Sequence, residues 1–105
     1  MSSLAGKVAI VTGAAGNLGR ALLAYRGFAR RGFEVVAVFD ADPDKIGKRI
    51  SGGSDLIIQP LTEMPRTVRE GAIRTGILAV PAASAQGVAD SMMEAGIRGI
   101  LNFAP

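Results

Sequence analysis

The residues whose order could carry chemistry begin with Thr12-Gly13-Ala14-Ala15-Gly16-Asn17-Leu18-Gly19. Glycine and alanine keep side chains small where a chain must turn tightly and lie close to a ligand. If a helix starts inside this run, its first N–H groups lack helical partners and carry partial positive charge, which suits a phosphate or pyrophosphate. Gly13, Ala15, Gly16, Asn17, Leu18 and Gly19 are therefore the candidate phosphate-contacting residues. A glycine trio is a weak signal alone and gains weight from an acidic residue at the end of the next strand. Asp40, 21 positions past Gly19, is that residue, and its carboxylate suits the hydroxyls of a ribose. The structural alternative is that Asp40 only caps or solvates a strand end. Asp42 and Asp44 already serve the segment that follows, which leaves Asp40 without a structural task.

This chemistry requires a strand, a turn and a helix in that order. KVAIVT at residues 7–12 reads as a buried strand, and residues 17–31 as a helix with Leu18, Leu22, Tyr25 and Ala29 on one face. Gly32 is its stop signal. EVVAVFD at 34–40 is the second strand; Asp42 and Pro43 then open a short helix. A weaker third strand covers 56–59, followed by a helix around 62–70 with Pro65 inside it. GILAV at 76–80 is the fourth strand. An Ala-rich helix over 81–95 carries Val88, Met92 and Met93 as core filler and stops at Gly96, and GILNF at 99–103 is the fifth strand.

Strand–helix alternation of this kind predicts an α/β fold with right-handed crossovers. The expectation is one Rossmann-type domain over residues 1–105, a doubly wound parallel five-stranded sheet in the order 3-2-1-4-5. Ligands of such sheets bind outside the carboxyl ends of the strands, where the strand order reverses. That adds Ala79, Val80 and Pro81 after strand four, and Asn102 and Phe103 after strand five, to the candidate site. Asn102 and Phe103 stand where a nicotinamide would be reached, with a turn-forming Asn and a buried Phe as the structural alternative.

Composition excludes several functions. The 105 residues contain no cysteine and no histidine, which removes disulfides, the usual zinc sites and any Cys or His nucleophile or base. The net charge is +3, with Arg26, Arg30 and Arg31 grouped where cations complement a helix C-terminus. No aromatic interleaving and no helix-turn-helix pattern points to direct DNA binding. The apolar opening is too short and too broken by glycine to span a membrane, and it lacks a signal-peptide cleavage pattern, so a cytoplasmic location is expected.

From Asn17 onward the chain resembles the NAD(H)-binding domain of the Rex family of redox-sensing transcriptional repressors. The residues that carry this are GNLGRALLAYRGFARRGFEVVAVFDADPDKIGKRI (16–50), ILAVPAASAQGVAD (77–90) and GIRGILNFAP (96–105). The resemblance implies a sensor of the NADH/NAD ratio, with Gly16, Gly19, Asp40, Pro81, Asn102 and Phe103 at the matching positions. Rex proteins carry a winged-helix DNA-binding domain ahead of this one and a subunit-swapping tail after it, and neither pattern is found in these residues. The opening LAGKVAIVTGAAGNL (4–18) resembles a short-chain dehydrogenase instead, and the family's G-x-G-x-x-G would need glycine where Ala14 stands. The loop is a hybrid of the two patterns, as in a chimeric or engineered fragment.

Catalysis by a short-chain dehydrogenase needs a Tyr-x-x-x-Lys pair. The only tyrosine is Tyr25, and position 29 is alanine. The expectation is thus a non-catalytic module that binds NAD(H), needs no metal, makes no direct DNA or membrane contact and self-associates weakly through an uncovered sheet edge. The cofactor half of a dehydrogenase and a coenzyme A or other nucleotide-binding domain of the same fold are the alternatives. Asp40 with no arginine following closely predicts NAD(H) over NADP(H), because a 2′-phosphate would face an uncompensated carboxylate.

Overall fold

Five short β-branched segments lie side by side in one parallel sheet: β1 (Lys7–Thr12), β2 (Glu34–Asp40), β3 (Ile58–Pro60), β4 (Thr75–Ala79) and β5 (Gly99–Asn102). Their order is β3-β2-β1-β4-β5, as expected, and each strand boundary at β4 and β5 falls within one residue of the sequence reading. The structure is a computed structural model and describes residues 6–13, 21, 26, 27, 29–50 and 56–103.

The central strands are apolar between polar ends, Lys7 and Thr12 in β1 and Glu34 and Asp40 in β2, because both faces of the sheet are covered, as in parallel sheets generally. On one face Ala9, Val11, Phe39, Leu78 and Val80 pack against Met64 and Val68 of helix α1 (Met64–Gly71) and Met92 and Ala95 of helix α2 (Ala82–Ala95). On the other, Val8, Ile10, Val38, Ile77 and Ala79 meet Ala21, Ile50 and Ile58. The β1–β2 register shifts between Val8 and Ala9, pairing Val8 with Val35 and Ala9 with Ala37. This irregularity puts Val35 and Val38, three residues apart, in the same cluster.

Several expectations need correction. No helix follows Asp42: residues 43–47 form a single turn. Asp42 O accepts N–H bonds from Lys45 and Ile46 at 3.0 and 3.2 Å, but Gly47 then adopts φ +88° and the chain leaves the turn. The chain instead returns as an antiparallel bridge, Arg49 opposite Ile57, which carries Ile50 into the core. The third strand begins at Ile58 and not Leu56, since residues 56 and 57 belong to that return. Pro65 does not interrupt its helix; it occupies the first turn of α1, where its missing N–H has no helical acceptor anyway, and a 3₁₀ turn (Leu61–Glu63) leads in.

Met92 is fully buried, as expected of core filler, but Met93 is 60% exposed: it is the next residue on a helix with only one face on the sheet. Ala29 is exposed as well, and the described helical residue that reaches the core is Ala21. Leu18, Leu22 and Tyr25 of the expected face lie outside the described residues. No helix among the described residues is long and apolar enough to cross a membrane.

Candidate functional site

The parallel registers bring four strand ends to one level. Thr12 of β1 pairs with Asp40 of β2 and with Ala79 of β4, and Asp40 pairs with Pro60 of β3. The carboxyl edge of the sheet therefore carries the row Pro60–Asp40–Thr12–Ala79, and the strand order reverses between β1 and β4. At that reversal a Cβ on Gly13 would stand 3.3 Å from both Pro81 Cδ and Val80 Cγ1. The start of the glycine loop and the β4–α2 junction are thus almost in contact, and this closeness is what a small residue at 13 permits.

Asp40 is fully buried. The Thr12 hydroxyl donates to Asp40 Oδ2 at 2.7 Å, the Asp42 backbone N–H donates to Oδ1 at 2.8 Å, and Lys45 Nζ lies 4.0 Å from Oδ2. The expectation that Asp40 has no structural task is therefore incorrect: it ties the end of β1 and the turn after β2 together. The sequence pattern missed this because its main partner, Thr12, is 28 residues away.

A cleft of about 620 Å³ opens beside this row. It is bounded by Asp40, Ala41 and Ile46 after β2, by Pro60, Leu61, Thr62, Met64 and Pro65 after β3, and by Ser84, Gly87, Val88 and Ser91 of α2. Its size is in the range of small-molecule sites and would hold a nucleoside. Asp40 borders the cleft but exposes no area, so a ribose contact requires the carboxylate to turn outward or the cleft floor to open. The α2 residues were legible in principle, since positions 84, 87, 88 and 91 share one helical face and all but Val88 are small or hydroxylated. Ile46, Leu61 and Met64 gave no such signal.

The remaining candidates fall into three groups. Ala79 and Val80 are buried and act first as core, while Pro81 is half-buried beside Gly13. Asn102 ends β5 opposite Leu78, and Phe103 is half-buried against the second core cluster, its N–H donating to Leu78 O at 2.7 Å. Neither borders the cleft. Ala15, Gly16, Asn17, Leu18 and Gly19 lie outside the described residues, as does the extra loop residue Ala14. Among the described residues no group of three or more acidic side chains is placed to hold a metal ion.

The sequence pattern of the CoA binding domain family matches residues 5–105. The chain belongs to this family. The chain is 54% identical over 91 residues to the redox-sensing transcriptional repressor Rex of Desulforamulus reducens, covering 87% of this chain and 42% of that protein. The Rex-family repressor RSP solved with β-NADH is 33% identical and superimposes with a TM-score of 0.80 over 96% of this chain and 47% of its own. RSP solved with β-NAD+ and operator DNA is also 33% identical, with a TM-score of 0.81 over 96% of this chain and 44% of its own. The chain thus spans less than half the length of each of these relatives.

Proposed function

We propose that this chain is the NAD(H)-binding portion of a Rex-like redox-sensing repressor and acts as a binding module without catalysis. The observation that carries this reading is the superposition on RSP, a repressor solved with β-NADH, across 96% of the chain. The cleft at the carboxyl edge of the sheet supports it, because a nucleoside half fits that volume and the strand-order reversal beside it is where open α/β sheets take dinucleotides.

In this reading Gly13 lets the loop lie against Val80–Pro81, and Ala15, Gly16, Asn17, Leu18 and Gly19 receive the pyrophosphate. Asp40 receives the adenosine ribose, with Ala41 and Ile46 beside it. Ala79, Val80, Pro81, Asn102 and Phe103 face the nicotinamide end. NAD(H) supplies a nicotinamide ring whose charge differs between its oxidised and reduced forms, so a site that favours one form reports their ratio. No Tyr-x-x-x-Lys pair, histidine or cysteine is present to move a proton or attack a carbonyl. We assign no operator contact to this stretch, whose described strands and helices are taken up by the sheet. Weak self-association through β5, an edge strand, is its expected assembly behaviour.

A second reading, coenzyme A binding, is favoured by the description of the matched family. Titrating the chain with NADH by fluorescence, with coenzyme A as competitor, separates the two. Saturable NADH binding that coenzyme A does not displace is expected. Binding of coenzyme A without NADH binding would replace the proposal, and sustained NADH consumption with a simple ketone or aldehyde substrate would end the claim of no catalysis.

A further inference from the structure

Asp40 with no arginine close behind it in sequence would leave a 2′-phosphate facing a bare carboxylate. The turn after β2 changes that arrangement. Asp42 holds it from both sides, with Oδ1 accepting the Asp44 N–H at 2.9 Å and its carbonyl accepting the Lys45 N–H at 3.0 Å. The Gly47 N–H donates to Ile58 O at 2.8 Å and anchors the far end on β3. Backbone bonds therefore direct Lys45 back over the end of β2, where its Nζ stands 4.0 Å from Asp40 Oδ2. The Lys45 side chain is 30% exposed and that of Asp40 is 0% exposed.

We propose that Lys45 is the residue that determines how this site receives a dinucleotide carrying a 2′-phosphate. The inference rests on the NAD(H) reading and deepens it. Both Asp40 oxygens already accept hydrogen bonds, from Thr12 and from the Asp42 backbone. The carboxylate is behind the surface, and the charged group in front of it is an ammonium. A lysine is a compact point charge on a flexible four-carbon stem, so it can leave a carboxylate 4.0 Å away and meet a phosphate. Asp42 and Asp44 add negative charge to the same turn, and Lys45 brings a cation next to the cleft-bordering Asp40, Ala41 and Ile46. Discrimination against NADP(H) is therefore weaker than Asp40 alone would impose, and Lys45 sets its size.

The test is a titration of the full chain and of Lys45→Met and Lys45→Arg with NADH and NADPH, reading the ratio of the two affinities. Lys45→Met should lower NADPH affinity relative to NADH by about tenfold, the scale expected when one unit charge near a phosphate is lost at partial exposure. Lys45→Arg should keep the parent ratio. An unchanged ratio in Lys45→Met overturns the inference, and so does an equal loss of both ligands, which would make Lys45 a support for the turn only. A parent chain that binds no NADH would remove the NAD(H) reading itself, and the inference with it.

Discussion

The Thr12 hydroxyl donates to Asp40 Oδ2 at 2.7 Å, joining the ends of two paired strands at the edge where the cleft opens. Thr12 is 1% exposed and Asp40 is 0% exposed, so neither has water as a substitute partner. Removing the hydroxyl while keeping the shape removes this bond, together with the hydroxyl's longer contact to Phe39 O at 3.4 Å. Thr12→Val should cost about 1.5–3 kcal/mol, the range for a hydrogen bond to a charged group left short of a donor. Thr12→Ser keeps the donor and loses a methyl, so it should fall less. Urea unfolding of the three chains decides it, and a Val variant as stable as the parent would show that the turn after β2 satisfies Asp40 alone.

Gly87 lies in the middle of α2 and borders the cleft, and a Cβ placed there meets nothing within 4 Å. Glycine inside a helix costs about 1 kcal/mol against alanine. Gly87→Ala should therefore raise stability by about 0.5–1 kcal/mol, measured by thermal or denaturant unfolding. Gly87→Leu projects into the cleft and should weaken NADH binding by about tenfold or more, a loss of roughly 1.4 kcal/mol. Full NADH affinity in the leucine variant would place the nucleotide elsewhere.

Ala72 closes α1 in the left-handed region, at φ 51° and ψ 43°. Its N–H reaches the Arg69 carbonyl at 3.3 Å, and the next residue, Ile73, bonds to Val68 O at 3.0 Å. An L-residue with a Cβ pays about 1–2 kcal/mol for this conformation, whereas glycine adopts it without that cost. Ala72 is exposed, so a substitution loses no packing. Ala72→Gly should gain about 0.5–1 kcal/mol after the added freedom of the unfolded chain is counted. A urea midpoint shifted upward at constant slope is the expected result; a downward shift would mean that the unfolded-chain term dominates.

The alternation of apolar runs with helical patterns was sufficient to give a parallel sheet in the order β3-β2-β1-β4-β5, because each run is local and its period is set by residues near one another. Gly32 and Gly96, both at positive φ, were legible as stops for the same reason. Glycines and an acidic residue at strand ends were enough to name Gly13, Asp40 and the β4 junction, since strand ends in such a sheet must share one edge. Tertiary structure alone decided what depends on distant partners. Thr12 engages Asp40 across 28 residues. The segment after Asp42 turns into an antiparallel return because Ile50 gains burial on the sheet that a short isolated helix would not provide. Lys45 comes within 4.0 Å of Asp40 only because that turn folds back, and the cleft exists only where the segments after β2 and β3 meet α2. Local pattern determines the strands and the sheet they make; contacts far apart in sequence decide how the turn after β2 folds and which charge faces the ligand.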